Sequence, residues 1–262
     1  ERREVREIVF AKPEEAAAAR ARIDQGASFD DIAQARGLKP ADTDLRLVAK
    51  NPGKVEGWGT DHDGAVRIAI ETDGLTTRIY SRKNEKESFR PILKFDYRSD
   101  FSPLFFSFDN RYLYASSNLR RDKSAIVEVD PGTGRQIKTI YGRDDVDVDG
   151  LSYSKKRKVI TAASFVTSRH EFKFFDPISE KRYDRIKKEI GDFEIYYTGY
   201  DKAEDLFTVV ATSDRTRGRY YLYDSLKDRL TFLADVSPLM KSDELAETKP
   251  IEYGSRDGLP IH

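Results

Sequence analysis

Six short runs in this chain carry side chains capable of chemistry. DVDVDG, residues 145–150, sets Asp145, Asp147 and Asp149 at alternate positions ahead of a glycine, as the front half of a calcium loop does. A complete loop of that kind needs a bidentate glutamate six residues past the glycine, and Lys156 stands there instead. The three aspartates are the cation candidates, set against the expectation that acids before a strand bond backbone in a turn. TDHDG, residues 60–64, places His62 between two carboxylates that could share a divalent ion. Neighbouring turn residues rarely converge on one ion, so a turn leading into VRIAI is expected. GLSYS, residues 150–154, approximates the G-x-S-x-G nucleophile elbow, but Ser154 replaces the last glycine and the run reads as a strand start. Basic clusters recur in NLRRDK (residues 118–123), SYSKKRK and SDRTRGR, flanked by acids. Their ordinary role is a solvated turn; Arg120 and Arg121 are the candidates for contact with a peptide carboxylate. His170 and His262 stand alone, no His-x-x-x-His pair exists and Cys is absent, so zinc and thiolate chemistry have no support and no cofactor is implied.

The elements that must position these residues repeat. SFDNRYLYASSNLRRDKSAIVEVDPGTGRQIKTI begins at Ser107, SYSKKRKVITAASFVTSRHEFKFFDPISEKRYDRI at Ser152 and GYDKAEDLFTVVATSDRTRGRYYLYDSLKDRLTFL at Gly199. Phe108, Tyr153 and Tyr200 are 45 and 47 residues apart, and Asp130, Asp176 and Asp224, placed at the end of each second strand, 46 and 48 apart. That period is close to one four-stranded propeller blade. A looser copy starts at Trp58, 50 residues ahead of Phe108. Short Tyr, Phe, Val and Ile runs separated by turn clusters such as DPGTG predict strands joined by tight turns.

The composition suits a folded domain: 262 residues, 38% hydrophobic, with Lys plus Arg and Asp plus Glu both at 46. Balanced charge gives no net field that would favour nucleic acid or an acidic membrane face. No apolar run approaches a spanning helix and no signal peptide opens the chain, so cytoplasm and periplasm both stay open. With Glu1 first and Met240 its only methionine, the chain is expected to be part of a longer product.

Residues 1–49 follow another pattern. EVREIVF predicts a strand, Pro13 opens an Ala-rich helix that stops at Gly26, and Ser28 with Asp31 forms a capping box for a second helix ending at Gly37. REIVF, the Ala-rich helix, GASFDDIAQARGL and ADTDLRLV together resemble the first half of a parvulin-type peptidyl-prolyl isomerase domain of the divergent bacterial periplasmic kind. In active parvulins the first strand carries a histidine where this chain has Glu7, and the second half is absent, so isomerase activity is not expected. A plain αα-hairpin beside the repeats is the alternative.

From about residue 51 to residue 262 the chain resembles the N-terminal β-propeller of the prolyl oligopeptidase family of serine peptidases, nearest its acylaminoacyl-peptidase-like or dipeptidyl-peptidase-like bacterial branch. NPGKVEGWGTDHDGAVRIAIETDG, SPLFFSFDNRYLYASSNLRRDKSAIVEVDPGTG, DVDGLSYSKKRKVITAA, YYLYDSLKDRLTFLAD and KPIEYGSRDGLPIH carry the likeness. The resemblance implies that SRDGLPIH leads toward an α/β-hydrolase domain supplying serine, acid and histidine in that order, none of which lies in the propeller. It implies a propeller that screens the active site and admits short peptides.

The expected architecture is therefore mainly β: a partial propeller of about four four-stranded blades over residues 50–262, behind a truncated strand-helix-helix segment over residues 1–49. The expected role is the non-catalytic gate of a peptidase whose triad is absent from this chain, with peptide as substrate and no nucleic acid or membrane segment. Relatives of this kind use seven blades, so four leave unpaired faces unless they close. Rival readings are a stand-alone propeller scaffold for a protein partner and, further off, an isomerase or folding factor.

Overall fold

A computed structural model of the protein describes residues 8, 10, 12–38, 51, 54–258 and 260–261. The chain divides after Pro52 into two compact units. In the first, α1 (Pro13–Asp24) has proline in its first turn with Glu14 and Glu15, and Arg22 in its last, charges that complement the helix dipole. Gly26, at φ 97°, ends it. The capping box of α2 (Phe29–Ala35) is formed: Asp31 N donates to Ser28 Oγ at 3.0 Å, and Ser28 N donates to Asp31 Oδ2 at 3.3 Å. Ala19 of α1 and Ile32 and Ala33 of α2 are buried. Of the expected first strand only residues 8 and 10 are described, neither of them in a strand, and Glu7 and the run ADTDLRLV lie outside the described residues.

The second unit is a series of antiparallel sheets whose strands pair in chain order, the arrangement of propeller blades. The first blade holds β1 (Val55–Thr60), β2 (Val66–Thr72), β3 (Thr76–Ser81) and β4 (Arg90–Asp96); the second holds β5 (Phe101–Phe106), β6 (Leu113–Ser117), β7 (Ala125–Val129) and β8 (Gln136–Gly142). The third has three strands, β9 (Val148–Ser154), β10 (Val159–Val166) and β11 (His170–Phe174), followed by helix α3 (Pro177–Ile190). The fourth returns to four: β12 (Glu194–Tyr200), β13 (Leu206–Ser213), β14 (Thr216–Asp224) and β15 (Arg229–Asp235). A short pair, β16 (Tyr253–Gly254) with β17 (Pro260–Ile261), ends the described chain.

The helix in the third blade corrects the expectation of four strands there. Pro177 fixes the first-turn geometry, Asp176 caps it by accepting from Ser179 N at 3.0 Å, and Gly191 at φ 88° stops it. Between them Tyr183, Ile186 and Ile190 recur at helical spacing and pack against Ile195, Phe207 and Tyr223 of the fourth blade. The repeated aspartates Asp130, Asp176 and Asp224 also sit at the end of the third strand of each blade, where the sequence placed them at the end of the second.

Burial follows sheet stacking. Every residue of β7 is buried; Val127 and Val129 face a cluster with Ile68, Ile79 and Phe106, while Ile126 faces Val148, Ala163 and Phe165 on the other side. A strand covered on both faces reads as a continuous apolar run, and AIVEV does so apart from Glu128. Glu128 is buried against Tyr114, whose hydroxyl is pushed up to about 12 by burial and by that carboxylate, and it pairs with Lys138 at 3.5 Å. The outer strands β8 and β15 are largely exposed.

The turn from first to second strand repeats with the blades. Asp61, Ser107, Ser154 and Asp201, spaced 46, 47 and 47 residues apart, each use a side-chain oxygen to accept turn N–H groups. Gly64, Asn110, Lys158 and Glu204 follow in the left-handed region. Two of these left-handed residues reach back to the preceding blade. Asn110 accepts from His62 N at 3.0 Å and donates to Asp63 at 2.8 Å; Glu204 accepts from Ser154 Oγ at 2.5 Å and Lys156 N at 2.9 Å.

Candidate functional site

The side-chain hydrogen bonds around the start of α3 build one node. Arg157, in the turn after β9, sends both terminal nitrogens to Asp176, each at 2.6 Å. This bidentate pair holds the Asp176 carboxyl well below the usual carboxylate range, with burial opposing. Ser179 Oγ accepts from Arg157 Nη2 at 3.3 Å and from Arg182 Nη2 at 3.2 Å. The helix start is thereby tied to the third blade, and its next turn projects Arg182 toward the fourth.

Arg182 borders a cavity of about 220 Å³ walled by residues of both blades and of α3. Aromatic rings dominate: Phe172 and Phe174 from β11, Tyr196 and Tyr200 from β12, Phe207 from β13. Arg182 lies over the Phe207 ring at 4.0 Å. His170 lies against Tyr196 in a tilted pair at 4.8 Å, and burial lowers its pKa. Burial pushes the Tyr197 hydroxyl up, opposed by the neighbouring Arg182 guanidinium, which lies over the Tyr197 ring at 5.2 Å. Three polar atoms of this wall, His170 Nδ1, Arg182 Nε and Tyr197 Oη, are buried without a well-formed hydrogen bond, the last two beside each other. The wall offers rings and donors, an inventory suited to binding. Two hydroxyls of the elbow-like run reach this wall: Ser152, at the nucleophile position, lies 2.7 Å from Thr161 Oγ1, and Ser154, buried at the end of β9, donates to Glu204.

A broader groove of about 480 Å³ on the first two blades is lined by Arg67, Arg82, Lys83, Arg90 and Arg111 with Glu87. Arg67 donates to Asn110 O at 2.7 Å and pairs with Asp61 at 3.6 Å, while Arg82 donates to Val66 O at 2.7 Å. Arg82 thus braces the first blade, and Arg67 braces it and joins it to the turn of the second.

The residues singled out from sequence do not converge. Arg120 lies exposed in the β6–β7 turn at φ 64°, and Arg121 turns outward to Gln136 Oε1 at 3.4 Å and Thr139 Oγ1 at 3.2 Å, both on the outer strand β8. Asp145 pairs with Arg143 at 2.5 Å, which lowers its carboxyl to about 2. Asp147 accepts from Ser124 N at 2.6 Å, and Asp149 lies exposed on β9. Among the described residues no group of three His, Asp or Glu is arranged to hold a metal ion. Gly150 is not at a turn: it sits in β9 opposite Ser164, and a Cβ there would fall 1.8 Å from Ser164 Oγ. Its role is close strand packing. TDHDG is the turn between β1 and β2, with His62 stacked on Phe108 at 4.9 Å and its Nε2 at 2.8 Å from Phe106 O. Sequence reading passed over Arg182 and Tyr197. The helical spacing of Ser179, Arg182 and Ile186 was the available signal, masked by the repeat alignment that put a strand there.

No protein-family model and no curated protein matches the chain. Solved structures do. A structure from a study of two prolyl endopeptidases and the role of inter-domain dynamics in their catalysis and specificity is 16% identical, over 86% of this chain and 32% of that one, with a TM-score of 0.54. A puromycin hydrolase is 15% identical over 87% of this chain and 36% of that one, at 0.51. A puromycin-hydrolysing peptidase of Mycobacterium tuberculosis is 13% identical over 87% and 36%, at 0.53. The chain spans about a third of the length of these structures. At such identities the likeness concerns fold: mainly β, with the blade series that these peptidases share. No helix among the described residues is long and apolar enough to cross a membrane.

Proposed function

We propose that the chain is the propeller portion of a prolyl oligopeptidase-like serine peptidase and limits which peptides reach a hydrolase domain. The supporting observation is the run of chain-ordered antiparallel blades, alike in fold to three peptidases over 86% or 87% of its length. The sequence holds no G-x-S-x-G, and in its nearest approach Ser152, the residue at the nucleophile position, lies within strand β9 and hydrogen-bonds Thr161 at 2.7 Å, so a nucleophile would come from a separate domain. A rigid blade array over such a domain acts sterically: an extended peptide passes and a folded protein does not. The propeller contributes selection, and bond cleavage belongs to the triad.

The experiment uses the product of the full reading frame that encodes these residues. Hydrolysis of proline-containing peptides of increasing length is compared with that of a folded protein, before and after deletion of residues 54–235. The expected result is cleavage of short peptides only, with the length limit relaxed by the deletion. A reading frame without a serine hydrolase, or rates indifferent to length, would sink the reading.

A further inference from the structure

Of the four buried side-chain atoms left without a well-formed hydrogen bond among the described residues, three, His170 Nδ1, Arg182 Nε and Tyr197 Oη, belong to the wall of the cavity between the third and fourth blades. Buried polar atoms are almost always paired, so their concentration in one place marks where a polar partner is due. Arg182 is the charged member. Its Nη2 is engaged by neutral Ser179 Oγ, its face lies on Phe207, and no carboxylate pairs with it among the described residues. The cavity's own acid, Glu204, is already occupied by Ser154 Oγ and Lys156 N. The remaining wall is ring-lined by Phe172, Phe174, Tyr196 and Tyr200, and about 220 Å³ admits one ring on a short stem.

We propose that this cavity binds a carboxylate carried on an aromatic ring, the carboxylate engaging Arg182 and Tyr197 and the ring lying among Phe172, Phe174 and Tyr200. An aromatic ammonium is the wrong charge beside Arg182, although rings alone would welcome it. The same chemistry has two sources, a free aromatic acid and the C-terminal aromatic residue of a peptide. The proposal goes beyond the gating reading and is independent of it, because it concerns a cavity of this chain and is assayed without any hydrolase.

The test is calorimetric titration of the 262-residue protein with phenylpropanoate, phenylpropanamide, phenylethylammonium, Gly-Gly-Phe and Gly-Gly-Phe-amide. Each acid is expected to bind about tenfold or more tightly than its amide, the scale of one charge-assisted contact. Arg182→Gln should erase that preference. Arg185→Gln should keep it, since Arg185 on the same helix is engaged with Glu189 and Asp228. Tighter binding of the tripeptide assigns the peptide end as ligand, and tighter binding of phenylpropanoate assigns the free acid. Equal affinity of acids and amides, no binding, or preference for the ammonium overturns the proposal. The acid-against-amide comparison on the unaltered protein decides the matter even if Arg182→Gln fails to fold.

Discussion

In the second blade Asp130 accepts from Gly132 N at 2.7 Å and the chain folds back as β8; in the third blade Asp176, at the same place in the repeat, accepts from Ser179 N and the chain goes on as α3. The capping chemistry is nearly identical, an aspartate oxygen taken by an N–H two or three residues on. The residues after the aspartate decide the outcome. PGTG supplies Gly134 at φ 71° for the hairpin, whereas PISEKRYDRIKKEI offers no left-handed residue until Gly191 and an apolar stripe that can bury. A repeat can thus exchange its outer strand for a helix by altering the residues after a shared chemical start. The exchange changes the neighbourhood, since the ring-lined cavity lies against α3 and the second blade's exposed β8 has no counterpart to it.

The largest effect is expected at Ile186, which is fully buried in α3 and makes the helix as much a part of its blade's core as a strand is of the second blade's. Ile186→Ala should cost about 2–5 kcal/mol of unfolding free energy by denaturant titration, as much as Ile126→Ala in the second blade. A loss under about 1 kcal/mol would make the helix an appendage. Next, Asp176→Ala should cost about 2–4 kcal/mol, because it strands Arg157 as well as removing the cap, while Asp130→Ala should cost about 1 kcal/mol for its turn bonds. Equal losses would erase the distinction between the two aspartates.

Acid bears on the same contrast. Asp176 is depressed in the folded protein below its ordinary value of 3.8 by the Arg157 hydrogen bonds. The stability it contributes is fully present above that value and disappears as pH falls through the lower folded one. Unfolding free energies of the unaltered protein and of Asp176→Asn should therefore differ at pH 7 and converge as pH drops well below about 4. A difference constant down to pH 2 would mean that charge is not what Asp176 supplies. The smallest effect is expected at the exposed Arg143–Asp145 pair, where Asp145→Asn should leave the melting temperature unmoved.

Much of this architecture was legible because the signals were local. Pro13, Gly26, Ser28, Asp31 and Gly37 act on residues three or four away, and the helices start and stop where those residues place them. The blade period was legible for the same reason, through turn residues recurring at nearly constant spacing. The helix α3 was hidden by the strength of the repeat: aligning DPISEKRY with DPGTG imposed a strand on residues whose helical pattern was plain when read alone. The cavity could not be seen at all. Its wall joins Phe174, Arg182, Tyr197 and Phe207, which meet only through blade stacking. Gly150 admitted two readings, the turn glycine of DVDVDG and the strand start of GLSYS, and its place in β9 opposite Ser164 agrees with the second.

The backward reach of Asn110 and Glu204 matters to the chain as it is made. His62 N and Asp63 in the first blade must wait 48 and 47 residues for Asn110, and Ser154 and Lys156 wait 50 and 48 for Glu204. During synthesis each of those turns emerges before the residue that completes it, and water holds the place until the next blade arrives. Folding therefore trails the ribosome by about one blade, and a polypeptide halted between Ser154 and Glu204 would display a finished first turn and an unfinished third.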